Sequence, residues 1–371
     1  MKSQGRIRNF SLCFFSLFCH LWFESNCSAR DELMPGSAFI SGRGAAMGDA
    51  MLPLGDSISV GLYNNPANLG KMRKAEAEPL NIGLYGNTGF TSTINSGFYN
   101  AVNLASYLPE LQRVPGQWVG TGESFLTGFG FPGFSIGILA QTQLAGQYDS
   151  TSGAVSYRSK FQLIPAVGSG FRLFDGILRF GYSLQWVNQA VGVQTVSATS
   201  TSLAYNEGLS QGSGLANTMG IALTAPIRLL PSVNVVVRNV LGTYYGAYTL
   251  LPVASNSSGL PSTDPMTVDA SFSIQPRLAR GAAMNLVLVD RDVFNTTGVV
   301  FMGHVALGAE ISFQDHFFLR GGWNGGYFSC GVGLKRPGGE VNLAYYTEEI
   351  GSQYMSQGDT RFLLQYQLRG F

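Results

Sequence analysis

Few side chains in this 371-residue chain could carry covalent or metal chemistry. A hydrolase needs a nucleophile, a base and an orienting group within reach. His304 and Ser312 share one alternating segment, but eight residues at about 3.3 Å each hold them far apart. His316 falls in a turn. Gly42-x-Gly44-x-x-x-Gly48 is one residue longer than a dinucleotide fingerprint, and no βαβ unit surrounds it. The cysteines Cys13, Cys19, Cys27 and Cys330 form no zinc-type cluster, and once an N-terminal leader is removed Cys330 stands alone, without a disulfide partner. Asn256-Ser257-Ser258 and Asn295-Thr296-Thr297 fit a glycosylation sequon and read as loop chemistry. The expectation is a protein that is not an enzyme and that uses no cofactor and no metal. What remains is a small set of charges inside otherwise apolar, alternating segments: Arg179, Glu310 and Arg320. Their meaning depends on the elements that hold them.

Composition identifies those elements. Asp, Glu, Lys and Arg make up 12% of the chain, against about 25% in an ordinary soluble domain. The 48 glycines, 16 tyrosines and 25 phenylalanines make it turn-rich and aromatic. Too little charge is present to wet a conventional surface, and the 45% hydrophobic content excludes a disordered chain. A net charge of +1 gives nucleic acid no basic face. The mean hydropathy of +0.12 points to lipid as the solvent.

A membrane helix needs about 20 apolar residues in a row, and the candidate run, Phe10 to Phe23, is shorter. It follows Lys2, Arg6 and Arg8 and precedes Cys27-Ser28-Ala29, the three-part plan of a secretory signal peptide over 1–29, cleaved after Ala29. A lipoprotein acylated on Cys27 would want Leu three residues earlier and small neighbours, and Glu24-Ser25-Asn26 does not supply them. From about residue 80 the dominant signal is period-two alternation, as in Leu178, Phe180, Tyr182, Leu184 and Trp186 against Arg179, Gly181, Ser183 and Gln185. Such segments fall near 80–94, 119–130, 133–145, 160–173, 177–191, 214–228, 233–245, 266–276, 283–289, 299–313, 317–323, 327–335, 341–347 and 361–371. Short connections alternate with mostly longer ones at 95–118, 146–159, 192–213, 246–265 and 348–360. Even strand number, short periplasmic turns and long outer loops describe a bacterial outer-membrane barrel. Lipid offers no partner to a free N–H or C=O, so the sheet must close. The fold class is therefore all-β: a transmembrane antiparallel β-barrel of about 14 strands over 80–371. Tyr182, Trp186, Trp323, Tyr345 and Tyr366 are candidates for its interface girdles. No internal repeat supports a propeller or β-helix.

Residues 30–79 do not alternate. Gly42-Arg43-Gly44-Ala45-Ala46-Met47-Gly48-Asp49-Ala50, Gly55-Asp56 and Tyr63-Asn64-Asn65-Pro66-Ala67-Asn68-Leu69 combine small residues with breakers, as expected of a plug packed inside the barrel. This order of motifs resembles the N-terminus of the FadL family of outer-membrane transporters for long-chain fatty acids and other hydrophobic compounds. Gly321-Gly322-Trp323-Asn324-Gly325-Gly326-Tyr327 and Ala344-Tyr345-Tyr346-Thr347-Glu348-Glu349-Ile350-Gly351 look like the closing hairpins of the same superfamily, which includes PorV-type accessories of protein secretion. The resemblance implies that Asn65, Pro66 and Ala67 belong to an N-terminal hatch, that a hydrophobic small-molecule ligand is caught by outer loops, and that the hatch shifts for its release. Leu104, Tyr107, Leu108 and Leu111 recur at helical spacing over the mouth and either capture ligand or cap the barrel. Arg179, Glu310 and Arg320 then line the lumen, where they set selectivity or form a charge network that holds the plug. The alternating C-terminal strand ending at Phe371 resembles the signal read by the outer-membrane assembly machinery. Outer-membrane lipid is the expected solvent, nucleic acid is not an expected partner, and the alternative function is a PorV-like accessory that engages secretion-system proteins.

Overall fold

The computed structural model describes residues 39–370 apart from 56, 94–102, 201–202 and 352–353. The expected leader, residues 30–38 and Phe371 lie outside the described residues. The strands are β1 (Glu76–Asn87), β2 (Val119–Phe131), β3 (Phe134–Asp149), β4 (Ala154–Leu173), β5 (Leu178–Ser197), β6 (Ser210–Thr224) and β7 (Ser232–Arg238). There follow β8 (Thr267–Ile274, resumed as Arg277–Ala279), β9 (Ala282–Asp290), β10 (Val305–Phe313), β11 (Phe317–Asn324), β12 (Tyr327–Arg336), β13 (Gly339–Glu349) and β14 (Gly358–Gly370). Pro276, which has no N–H to give a ladder, sits in the break in β8. Each strand pairs antiparallel with the next, and β14 returns to β1 through Leu80↔Leu368 to Asn87↔Arg361, closing a barrel of 14 strands.

Alternation along each strand separates two solvents. In β14, Phe362, Leu364, Tyr366 and Leu368 are exposed on the outside, while Arg361, Leu363, Gln365 and Gln367 are buried within. In β3, Phe134, Ile136 and Ile138 face out and Ser135, Leu139 and Gln141 face in. Closure gives every strand two neighbours, so no edge is left for lipid to solvate.

The wall is uneven in height, and this is where the strand bounds differ from those expected. Parts of 146–159 and 192–213 are strand, because β3, β4 and β5 run on together to Asp149, Ala154 and Ser197 and satisfy one another. The expected strand 299–313 begins at Val305. Its neighbours stop there, with Asp290↔Val305 on one side and Ala306↔Asn324 on the other, so alternation beyond has nothing to pair with. Residues Phe301–His304 form a helical turn instead, α5. The strand expected at 233–245 ends at Arg238, where Asn239 and Leu241 take positive φ of 49° and 67° and leave the sheet. The first strand starts at Glu76 and ends at Asn87, giving way to helix α3 (Thr88–Thr93).

Candidate functional site

Residues 39–72 form a chain of short helices: α1 (Gly42–Ala46), α2 (Ile58–Tyr63) and a 3₁₀ turn over Pro66–Lys71. Each is capped by its own sequence. Ser41 accepts from the Gly44 N–H at 3.0 Å and Ser57 from Val60 at 3.3 Å. Asn65 is the N-cap of the 3₁₀ turn: its Oδ1 accepts from Ala67 N at 3.1 Å, and Pro66 follows at the first helical position, where a missing N–H costs nothing. The Asn65 Nδ2 donates back to the Leu52 carbonyl at 2.8 Å and across to Asn234 Oδ1 on β7 at 3.4 Å. The Asn-Pro-Ala triplet thus folds the segment back on itself and touches the wall.

Glycines on the inner wall admit this segment's backbone. A Cβ on Gly181 would lie 2.1 Å from the Pro66 carbonyl, one on Gly220 2.4 Å from Asn65 Oδ1, and one on Gly322 2.1 Å from the Met47 carbonyl carbon. These three glycines come from β5, β6 and β11, so close backbone contact occurs at well-separated arcs of the barrel. Apolar side chains complete the fit: Ile58, Leu62, Tyr63 and Leu69 are buried with Leu126, Leu139, Ile164 and Ala166 of the wall, and Met47, Ala50, Met51 and Val60 with Val236, Val287 and Val289.

Charged contacts join the same surfaces. Glu310 on β10 accepts from Arg43 Nε at 2.8 Å and Nη2 at 2.6 Å, from Arg320 Nε at 2.7 Å, and from Asn285 Nδ2 at 2.8 Å. Glu310 and Arg320 are opposite each other across β10 and β11, and Arg320 continues to Asn342 and Glu340. Arg291, just beyond β9, meets Asp49 at 2.7 Å and the Asp49 carbonyl at 3.0 Å. Arg238 holds Asp269 at 2.7 Å and reaches the Tyr63 carbonyl at 3.3 Å. At the end of the barrel that carries the short turn between β2 and β3, Glu78 accepts from Ser59 N at 3.1 Å and Ser59 Oγ at 2.9 Å. The ladder between β4 and β5 skips Ile164 and Pro165. There Tyr63 Oη donates to the Ile164 carbonyl at 2.8 Å. Burial, with Glu78 adding to it, pushes the Tyr63 phenol well above its usual range, so it remains a donor.

The structure therefore brings Glu310 and Arg320 together with Arg43, and does not bring in Arg179. Arg179 lies buried near the start of β5, where its Nη2 donates to Thr224 Oγ1 at 3.0 Å. Asn65, Pro66 and Ala67 are buried against β5 and β6. Leu104, Tyr107, Leu108 and Leu111 share helix α4 (Leu104–Arg113) as the spacing predicts. Leu104, Tyr107 and Leu111 are fully packed against Val119, Leu144, Tyr157, Leu203 and Tyr205, and Leu108 partly. Leu144 pairs with Ser159 and Gly146 with Tyr157, one residue out of phase with the lumenal pairs Gln141↔Gln162 and Gln143↔Lys160. The helix thus covers the side of the wall that faces away from the lumen. His304 is buried outside any strand, with Nδ1 2.6 Å from the Arg291 carbonyl and Nε2 2.8 Å from that of Val299, so its ring braces the loop that carries Arg291. Sequence reasoning missed Arg43, Asp49, Glu78, Arg238, Asn285 and Arg291. Arg238 had a signal, since it continues the inward phase of Asn234 and Val236.

No protein-family model and no curated protein sequence matches the chain. Solved structures do. The chain is similar to the CymD monoaromatic hydrocarbon channel, with a TM-score of 0.51 and 13% identity, covering 92% of this chain and 98% of that one. It is also similar to the toluene transporter TodX of P. putida, with a TM-score of 0.50 and 9% identity, covering 89% and 98%. The chain has the fold of these two channels, a closed antiparallel β-barrel of 14 strands.

Proposed function

We propose that the protein passes hydrophobic small molecules across the outer membrane, with residues 39–72 acting as a hatch that shifts to let them through. The observation that carries this reading is the way the segment is held. It touches opposite arcs of the inner wall through glycines, carbonyls and ion pairs, all of them reversible contacts. The resemblance at Asn65, Pro66 and Ala67 supports a hatch, and the two similar channels, named for aromatic hydrocarbon transport, support an apolar cargo. Long-chain fatty acids and small aromatic hydrocarbons are the two cargo classes to compare. Glu310 and Arg320 serve as the wall half of a latch whose other half is Arg43. The outward Phe362, Leu364, Tyr366 and Leu368 of β14 present the strand that the assembly machinery would read.

The test is uptake of a labelled long-chain fatty acid and of toluene in a deletion strain, measured beside the proteins retained at its surface. Loss of either uptake supports the transporter. Unchanged uptake of both, with surface proteins lost, would sink it in favour of the secretion accessory. Asn65→Ala and Pro66→Ala should lower uptake while the barrel stays heat-modifiable on gels; full uptake in both variants removes the hatch.

A further inference from the structure

We propose that the segment 239–266 is a piece of the membrane wall, immersed in the hydrocarbon of the outer leaflet, rather than a loop standing in water. β7, before it, has 7 residues, and β8, after it, runs only 8 before its break at Pro276, both short of the roughly 9–11 a spanning strand needs. β6 has 15 and rises above them. Its pairing with β7 ends at Met219↔Val237, which would leave the upper part of β6 as an open edge. Lipid does not tolerate such an edge.

The segment fills it. Val240 N donates to the Asn217 carbonyl at 2.9 Å, Ser213 and Gly246 exchange bonds of 3.0 and 2.8 Å, and Gln211 N donates to Gly259 at 2.9 Å. Thr243 and Asp264 pair within the segment at 2.9 and 3.1 Å. Side chains of the wall satisfy further backbone groups. Asn188 Oδ1 accepts from Leu250 N at 2.9 Å, Gln211 Oε1 from Ala254 N at 2.7 Å, and Ser213 Oγ donates to the Tyr248 carbonyl at 2.6 Å. Asn188 is telling. Strand alternation points it the same way as the exposed Phe180 and Tyr182, yet it is completely buried, because the segment is draped over it. Irregular backbone with its polar groups met by protein is what lipid permits.

The outer surface fits hydrocarbon over 241–250 and at Leu260 and Met266, while the exposed Ser255, Asn256, Ser257 and Ser258, beside Glu207 and Ser210, mark the part that reaches the headgroups. Leu241, Tyr244 and Tyr248 are 85%, 72% and 68% exposed, and Leu250, Leu260 and Met266 are exposed beside them. Between 239 and 266 the sequence has one charged residue, Asp264, which is bonded to the buried Tyr245. Tyr248 stacks on Trp186 of β5 at 6.2 Å. On β6, whose upper part the segment pairs with, Leu215, Met219 and Ile221 are exposed as well. In water so large an apolar patch would be costly.

The test uses the protein purified from outer membranes, with Cys330→Ser to remove its exposed thiol and one new cysteine carrying an environment-sensitive fluorophore. Leu241→Cys is compared with Leu223→Cys in the belt and Thr151→Cys in an outer turn, in vesicles containing phospholipid brominated on its chains. The expected result is blue-shifted emission for Leu241→Cys, quenched as strongly as Leu223→Cys and several-fold more than Thr151→Cys. Emission and quenching that match Thr151→Cys overturn the proposal. So does blue-shifted emission without bromine quenching, accompanied by crosslinking between copies through position 241, which would place a second copy there.

Discussion

Glu310 shows how one side chain can couple the wall to what lies against it. Arg43 and Arg320 both end on its carboxylate, with Asn285 completing the set. Removing the acceptor takes the shared carboxylate from Arg43 and leaves Arg320 to Glu340 and Asn342 alone, so Glu310→Ala should cost about 3 kcal/mol of stability, read as a lower urea midpoint for loss of the heat-modifiable form. Arg43→Ala leaves Glu310 paired with Arg320 and should cost clearly less, while increasing protease cleavage within 39–72. Equal losses in the two variants would mean that Arg43 and Arg320 are not shared through one carboxylate. Gly181→Ala is a sharper steric probe, since its new methyl meets the Pro66 carbonyl at 2.1 Å. It should displace the 3₁₀ turn and raise cleavage at 66–71, whereas alanine at Gly153, which has open space but a positive φ of 64°, should leave that region untouched.

At the scale of elements, helix α4 and the loop after β9 make separate predictions. Leu111 is fully buried under α4, so Leu111→Ala should cost about 2–5 kcal/mol of local stability, visible as faster amide exchange over 104–113 with the barrel strands unchanged. In the loop after β9, burial acts to raise the Asp292 carboxyl, but hydrogen bonds from Thr296 and Thr297 outweigh it and hold the group below its usual value. A carboxyl lowered in the folded state stabilises at pH above its unfolded value of about 3.9, and that contribution is lost as pH falls through the lowered folded value. Carboxyl resonances should therefore show Asp292 titrating below the free carboxylates, and Thr297→Val should move it back up; no movement would mean the hydroxyl does not hold it. The α4 spacing was legible as a helix with one apolar face. Which surface that face would cover was not, because it depends on β3 and β4 running on together as far as Asp149 and Ala154.

For the whole molecule, the contacts on the inner wall are distributed, so loosening one should not free the segment. Arg43→Ala combined with Asp49→Asn removes its side-chain pairings to both Glu310 and Arg291, and should raise ion conductance in planar bilayers several-fold over either single change, with the barrel still heat-modifiable. Additive or absent increases would argue against a segment held at several points at once. The sequence by itself determined that the chain is a closed barrel and that its N-terminal part stays out of the wall. Those follow from local patterns, because each strand residue meets one of two solvents and alternation records which. Only the tertiary structure decided that Arg43 meets Glu310, 267 residues away, and that Arg291 reaches Asp49, 242 residues away. It also decided that strand 299–313 stops at Val305 and that glycines of distant strands face Met47, Asn65 and Pro66. Such contacts are set by the register and height of neighbouring strands once the barrel closes, and no local period encodes them.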